Sequence, residues 1–121
     1  MELEVTGHAR EVVAIDDVQA MLDAGGAARF GEEERRYAFA KTDPVRRLAA
    51  RWAAKLAAAR VLGDGVVPED VEVLRTFGAP YLRLAEPAER RLRALEGRLH
   101  VSLTHGLTHA AASVVLETPP R

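Results

Sequence analysis

The stretch LAARWAAKLAAARVLG carries Arg51, Lys55 and Arg60 on a strong helical pattern, followed at once by Gly63 and Gly65. Arg51 lies one turn before Lys55, and its planar guanidinium fork suits paired oxygens such as those of a phosphate. The same two residues fit a solvated helix face equally well, and their types leave both readings open. Gly63 and Gly65 most simply end the helix, and they also let backbone N–H groups approach a phosphate. THGLTH places His105 and His109 close together and raises the question of zinc, but the pair flanks a turn at Gly106 with no third ligand nearby. His8 and His100 read as surface or strand residues. Ser102 and Ser113 fall in strand patterns, and the chain has no Gly-x-Ser-x-Gly elbow, phosphate-binding loop or dinucleotide fingerprint, so a serine nucleophile is not expected. Cysteine is absent, which excludes disulfides, thiol nucleophiles and thiolate metal sites and leaves His and carboxylates as the available ligands.

These residues need a frame, and 121 residues fit one domain able to bury a modest core. We expect it to span 1–117, with 118–121 (TPPR) as a tail where two prolines stop the last strand. With 17 Lys and Arg against 18 Asp and Glu, the overall field offers little to a polyanion, so no nucleic-acid partner is expected. No apolar run has the length of a signal peptide core or approaches the roughly 20 residues of a membrane span. A cytoplasmic protein with no membrane partner is therefore expected.

LEVTG and REVVAI predict an opening strand or strand pair, and Asp16 and Asp17 are read as caps of the helix VQAMLDAGG, ended by Gly25 and Gly26. FGEEERRYAFAK follows with three glutamates in its first turn, where the helix dipole favours negative charge. Asp43 and Pro44 open a long helix over 45–62 that Gly63 ends. VEVLRTFGAPYLRL reads as a hairpin. Pro87 begins a helix with Leu92 and Leu95 on its buried stripe and Gly97 at its end, and the alternating charges of ERRLRALEGR form its solvated face. LHVSLTH, with Leu99, Val101 and Leu103 on one face, and AAASVVLE complete the strands. Strands returning after helices predict an α+β fold, an antiparallel sheet with helices on one side.

Taken together, FGEEERRYAFAKTDPVRRLAARWAAK, VLGDG, DVEVLRTFGAPYLRL and HVSLTHGLTHAAASVVLE resemble the bacterial holo-acyl-carrier-protein synthases, the short, single-domain 4'-phosphopantetheinyl transferases. The blocks are collinear and cover nearly the whole chain. The resemblance implies a 4'-phosphopantetheinyl transferase-like fold with a long helix packed on the sheet. It also implies a homotrimer with active sites between subunits, coenzyme A as donor and a carrier-protein serine as acceptor.

That reaction attacks a phosphorus that already carries negative charge, so a divalent cation must neutralise the pyrophosphate and the leaving group. By resemblance, the family supplies a first-strand carboxylate and a glutamate directly after Ala-Ala-Lys, with a lysine four residues further on contacting phosphate. This chain has Leu56 and Arg60 at those two helix positions. Aligning REVVAIDDVQAML with the family's first strand puts Glu11 at the metal position; aligning on Gly7 puts Ala9 there instead. A single carboxylate rarely holds Mg²⁺ by itself, although phosphates and waters can complete an octahedron.

The resemblance further assigns Lys55 to the transferred phosphate, Arg51 to coenzyme A phosphates, Arg60 to phosphate in place of lysine, and Thr104 and His105 to the nucleotide pocket. The first helix departs from the basic, carrier-docking helix of the family, since it shows Asp16, Asp17 and Asp23 with no Lys or Arg between Val12 and Ala28. The expected protein is a holo-acyl-carrier-protein-synthase-like member of a carrier-dependent biosynthetic pathway with a degenerate magnesium site. Its transfer is lost or strongly reduced, and it serves for binding, as a scaffold or in a new role. The alternatives are an active transferase for a specialised carrier protein and, behind it, a new enzyme using Glu11 or a His as base.

Overall fold

The computed structural model describes residues 2–63 and 65–120; Asp64 of the expected glycine loop and Arg121 of the tail lie outside the described residues. The elements are β1 (Glu4–Ala14), α1 (Ile15–Asp23), α2 (Glu32–Phe39), α3 (Pro44–Leu62), β2 (Val71–Thr76), β3 (Ala79–Leu84), α4 (Glu86–Leu95), β4 (Arg98–His105) and β5 (His109–Thr118). Short 3₁₀ turns occupy Gly26–Arg29 and Pro68–Asp70.

The two opening runs form one strand with an irregularity between Val5 and Gly7, not a strand pair. β1 then passes into α1 without a loop, so the N-cap is Ala14 and the Ile15 N–H donates to the Thr108 carbonyl. Asp16 and Asp17 consequently stand inside the first turn, stabilised by the helix dipole, and not at the cap. At the other end of the chain β5 runs through Thr118, which is buried and shares a hydrogen bond with Thr6, so Thr118 belongs to the sheet and not to the tail.

All strands are antiparallel, but they form two sheets: a three-stranded one in the order β1-β5-β4, and the separate β2-β3 hairpin. Phe77 and Gly78 both adopt positive φ in the hairpin's two-residue turn, the backbone that matches strand twist. α4 ends through Glu96 in the left-handed region, and Gly97 lies close under the side chains of Leu116 and Leu92, where an added Cβ would sit 2.7 Å from Leu116 Cδ1 and push those side chains aside.

α3 is the central helix, touching all three strands of the larger sheet on one side and α1 and α2 on the other. Its alanines at 49, 50, 53, 54, 57 and 58 are fully buried, which brings the helix close to the sheet while keeping high helix propensity. A helix buried nearly all round must find partners for any charge it carries. At its C-terminal end Gly63 takes φ 77° and ψ −150°, a conformation close to the glycine-only region, and Arg91 from α4 donates to the Leu62 carbonyl at 2.8 Å.

Candidate functional site

Arg51 and Arg60 are nine positions apart, which is about two and a half helical turns, so they leave opposite sides of α3. β1 forms one edge of the larger sheet and β4 the other. The candidate residues therefore divide between two edges of the molecule, with Lys55 in the core.

At the β1 edge, Ala9, Glu11 and Val13 share the strand face turned to α3. Ala9 packs with Ala57 and Ala58, and Val13 packs near Ala53 and Ala54. Glu11 lies between them and accepts a hydrogen bond from Arg60 Nη1 at 2.8 Å. Leu56, one turn before Arg60, packs against the cluster that contains Trp52. Both strand registers weighed in the sequence thus face the helix, but Glu11 is the one that brings a carboxylate there.

Mg²⁺ does not fit this donor set. A hard cation wants near-octahedral oxygen, whereas the Glu11 carboxylate is already engaged by a guanidinium and the adjoining helix position is an apolar side chain. Among the described residues no three His, Asp or Glu side chains form a metal-holding group, His105 and His109 included. His109 instead shares a 2.8 Å hydrogen bond with Thr108.

Of the two readings of Lys55, a lysine reaching the transferred phosphate and a solvated one, the solvated one does not hold. Its side chain is 1% exposed, and Nζ donates to Glu34 Oε1 at 2.7 Å and to the Val71 carbonyl at 2.6 Å. Glu34 is equally buried and also accepts from the backbone N–H groups of Gly31 and Val73. Two buried charges are thereby paired and hydrogen-bonded, joining α2, α3 and β2, and Lys55 lines a cleft with Gly31, Glu69, Asp70 and Glu72 that is separate from those Arg51 lines.

At the β4 edge, Arg51 lines a cleft of about 250 Å³ with Arg47, Arg75, Leu103, Thr104 and His105. Its guanidinium carbon stands 4.2 Å from the Tyr37 ring centroid, and Arg47, Arg75 and Lys41 lie within 5.8 Å of the same ring. Arg47 is tied to Asp43 at 2.9 Å and donates to the Tyr37 hydroxyl at 3.2 Å. Arg51 has no carboxylate partner among the described residues, and its Nε is buried without a hydrogen bond. Burial lowers the pKa of its guanidinium, with Tyr37 opposing. For Tyr37 burial pushes the pKa up, yet Arg75, Arg47, Arg51 and Lys41 together hold it below the ordinary phenol value. The edge is a cationic pocket with unspent donors.

The structure therefore joins Glu11 with Arg60, joins Arg51 with Thr104 and His105, keeps Lys55 apart from both, and puts Gly63 and Gly65 beyond the end of α3. Sequence reasoning missed Glu34 as the partner of Lys55, and Tyr37, Arg47 and Arg75 as parts of the cationic pocket. Only Glu34 left a signal: a glutamate three positions after Gly31 at a helix start, able to reach back to that residue's N–H.

The chain is thus an α+β subunit whose larger sheet carries arginines at both of its edges. No family model matches the chain. It is 40% identical over 120 residues to a holo-acyl-carrier-protein synthase of Nitratidesulfovibrio vulgaris, covering 88% of this chain and 97% of that one. The acyl carrier protein synthase of Mycobacterium tuberculosis has a similar structure, with TM-score 0.76 and 33% identity over 96% of this chain and all of that one. The Bacillus anthracis holo-acyl-carrier-protein synthase, solved in complex with coenzyme A as 3',5'-ADP, has TM-score 0.75 and 26% identity over 95% of this chain and 98% of that one. The chain belongs to the holo-acyl-carrier-protein synthase family.

Proposed function

We propose that this protein binds coenzyme A between the subunits of a homotrimer but has lost, or retains only feebly, the magnesium-dependent transfer of phosphopantetheine to a carrier-protein serine. It acts in the cytoplasm as a binding or scaffold member of a carrier-dependent pathway, a location that suits its cysteine-free composition. The observation that carries this reading is the occupation of Glu11 by Arg60 beside an apolar Leu56, where two carboxylates and a cation are needed. Losing even about 4 kcal/mol of transition-state stabilisation slows turnover roughly a thousandfold.

Coenzyme A binding is supported by the cationic pocket, where a ligand phosphate would give Arg51 the counter-charge it lacks. Arg51, Thr104 and His105 would line the nucleotide side and Gly63 and Gly65 the phosphate approach, while Lys55 serves the frame from within. Trimerisation is supported by the sheet face turned away from α3, which leaves Val12 60% exposed within one chain, and by the placement of the two half-sites on opposite edges, so that only neighbouring copies bring them together. The acidic first helix, with Asp16, Asp17 and Asp23 exposed, repels an acidic carrier.

The test is to incubate the protein with Mg²⁺, coenzyme A and a panel of apo carrier proteins and to weigh the carriers by mass spectrometry, with calorimetry of coenzyme A alongside. Bound coenzyme A with unmodified carriers is expected, and Leu56→Glu combined with Arg60→Lys is expected to gain transfer. Ready transfer by the unaltered protein would instead establish the alternative reading, an active enzyme for a specialised carrier.

A further inference from the structure

Building on the reading that this protein binds a phosphorylated ligand, we infer that the β1 edge holds a pyrophosphate-class group without a divalent cation, through the Arg60 guanidinium seated on Glu11. Arg60 Nη1 donates to Glu11 Oε1 at 2.8 Å, and the Arg60 side chain is 64% exposed against 24% for Glu11. A guanidinium has five N–H donors in a plane, and this contact uses one, so the rest of the fork is free for oxygens arriving from solvent.

A divalent ion would have to evict this cation from Glu11 and then find oxygen where Leu56 offers carbon. The arginine needs neither step. It stands between a strand carboxylate and solvent, which is where a bridging positive charge must lie to join that carboxylate to a phosphate. Its charge is delocalised over a planar fork that a lysine cannot reproduce. Glu11 in this arrangement is a positioning residue: it orients the fork and touches no ligand. The pair is neutral overall, so the site discriminates by geometry more than by charge, and Mg²⁺ chelating the pyrophosphate competes with Arg60.

Calorimetric titration of the full chain with inorganic pyrophosphate, in EDTA and again in MgCl₂, decides the matter. Affinity in EDTA is expected to equal or exceed that in Mg²⁺. Arg60→Ala should weaken binding about tenfold or remove one class of site, as loss of charge-assisted hydrogen bonds implies. Glu11→Gln should weaken it by only about two- to fivefold, the scale of an exposed ion pair, and Arg60→Lys should not restore full affinity. Mn²⁺ followed by paramagnetic resonance should show no saturable site that depends on Glu11. Pyrophosphate binding that requires Mg²⁺, a Glu11-dependent Mn²⁺ site, or indifference to Arg60→Ala would each overturn the inference. Phosphopantetheine transfer by the unaltered protein would end the loss-of-activity reading while leaving this one standing, provided pyrophosphate still binds in EDTA through Arg60.

Discussion

Lys55 shows how far a residue's surroundings decide its chemistry. The helix around it predicted either a solvated amine or one reaching for phosphate, and the fold instead shuts it in with Glu34 and the Val71 carbonyl. Replacing one member strands the other charge in the core, so Lys55→Met is expected to lower unfolding stability by about 3–5 kcal/mol. Adding Glu34→Leu should recover much of that loss, and urea melts of the single and double variants check it. A double variant no more stable than the single would mean that the pair is not the reason for the loss. The pairing was illegible in the sequence because it joins residues on different elements, 21 positions apart. Glu11 was legible only through alignment, since nothing in a strand's alternation distinguishes a carboxylate that meets a helix from one that meets solvent.

At the scale of elements, local chemistry was legible where a single residue closes or opens a helix. Pro44 begins α3 and Gly63 ends it as read, because φ preferences act within one turn, while Asp43 takes the N-cap position without a side-chain cap hydrogen bond and gives its carboxylate to Arg47. Gly63→Ala must place a Cβ at φ 77°, and a loss of about 1–3 kcal/mol is expected, measured by thermal unfolding. Alanine there without effect would show that the helix end relaxes at little cost. What the sequence did not disclose was non-local: the division of the strands into two sheets, and the direct passage of β1 into α1 that displaces Asp16 and Asp17 from the cap. Both depend on which strands pair, and alternation within a strand carries no label for its neighbour.

At the scale of the whole molecule, near-zero net charge hides a strong local asymmetry, because Arg47, Arg51 and Arg75 gather at one edge while Arg60 stands half a turn round α3 at the other. The placement carries a genetic consequence. Chains bearing Arg51→Ala and chains bearing Arg60→Ala are each expected to bind coenzyme A poorly when alone. Mixed by unfolding and refolding together, they should regain binding, because a junction between unlike copies can unite one sound edge from each. Two different lesions on the same edge cannot rescue one another in this way. An allele pair that complements across edges and fails within one would thus reveal, with no structure of the assembly in hand, that each working cavity belongs to two polypeptides.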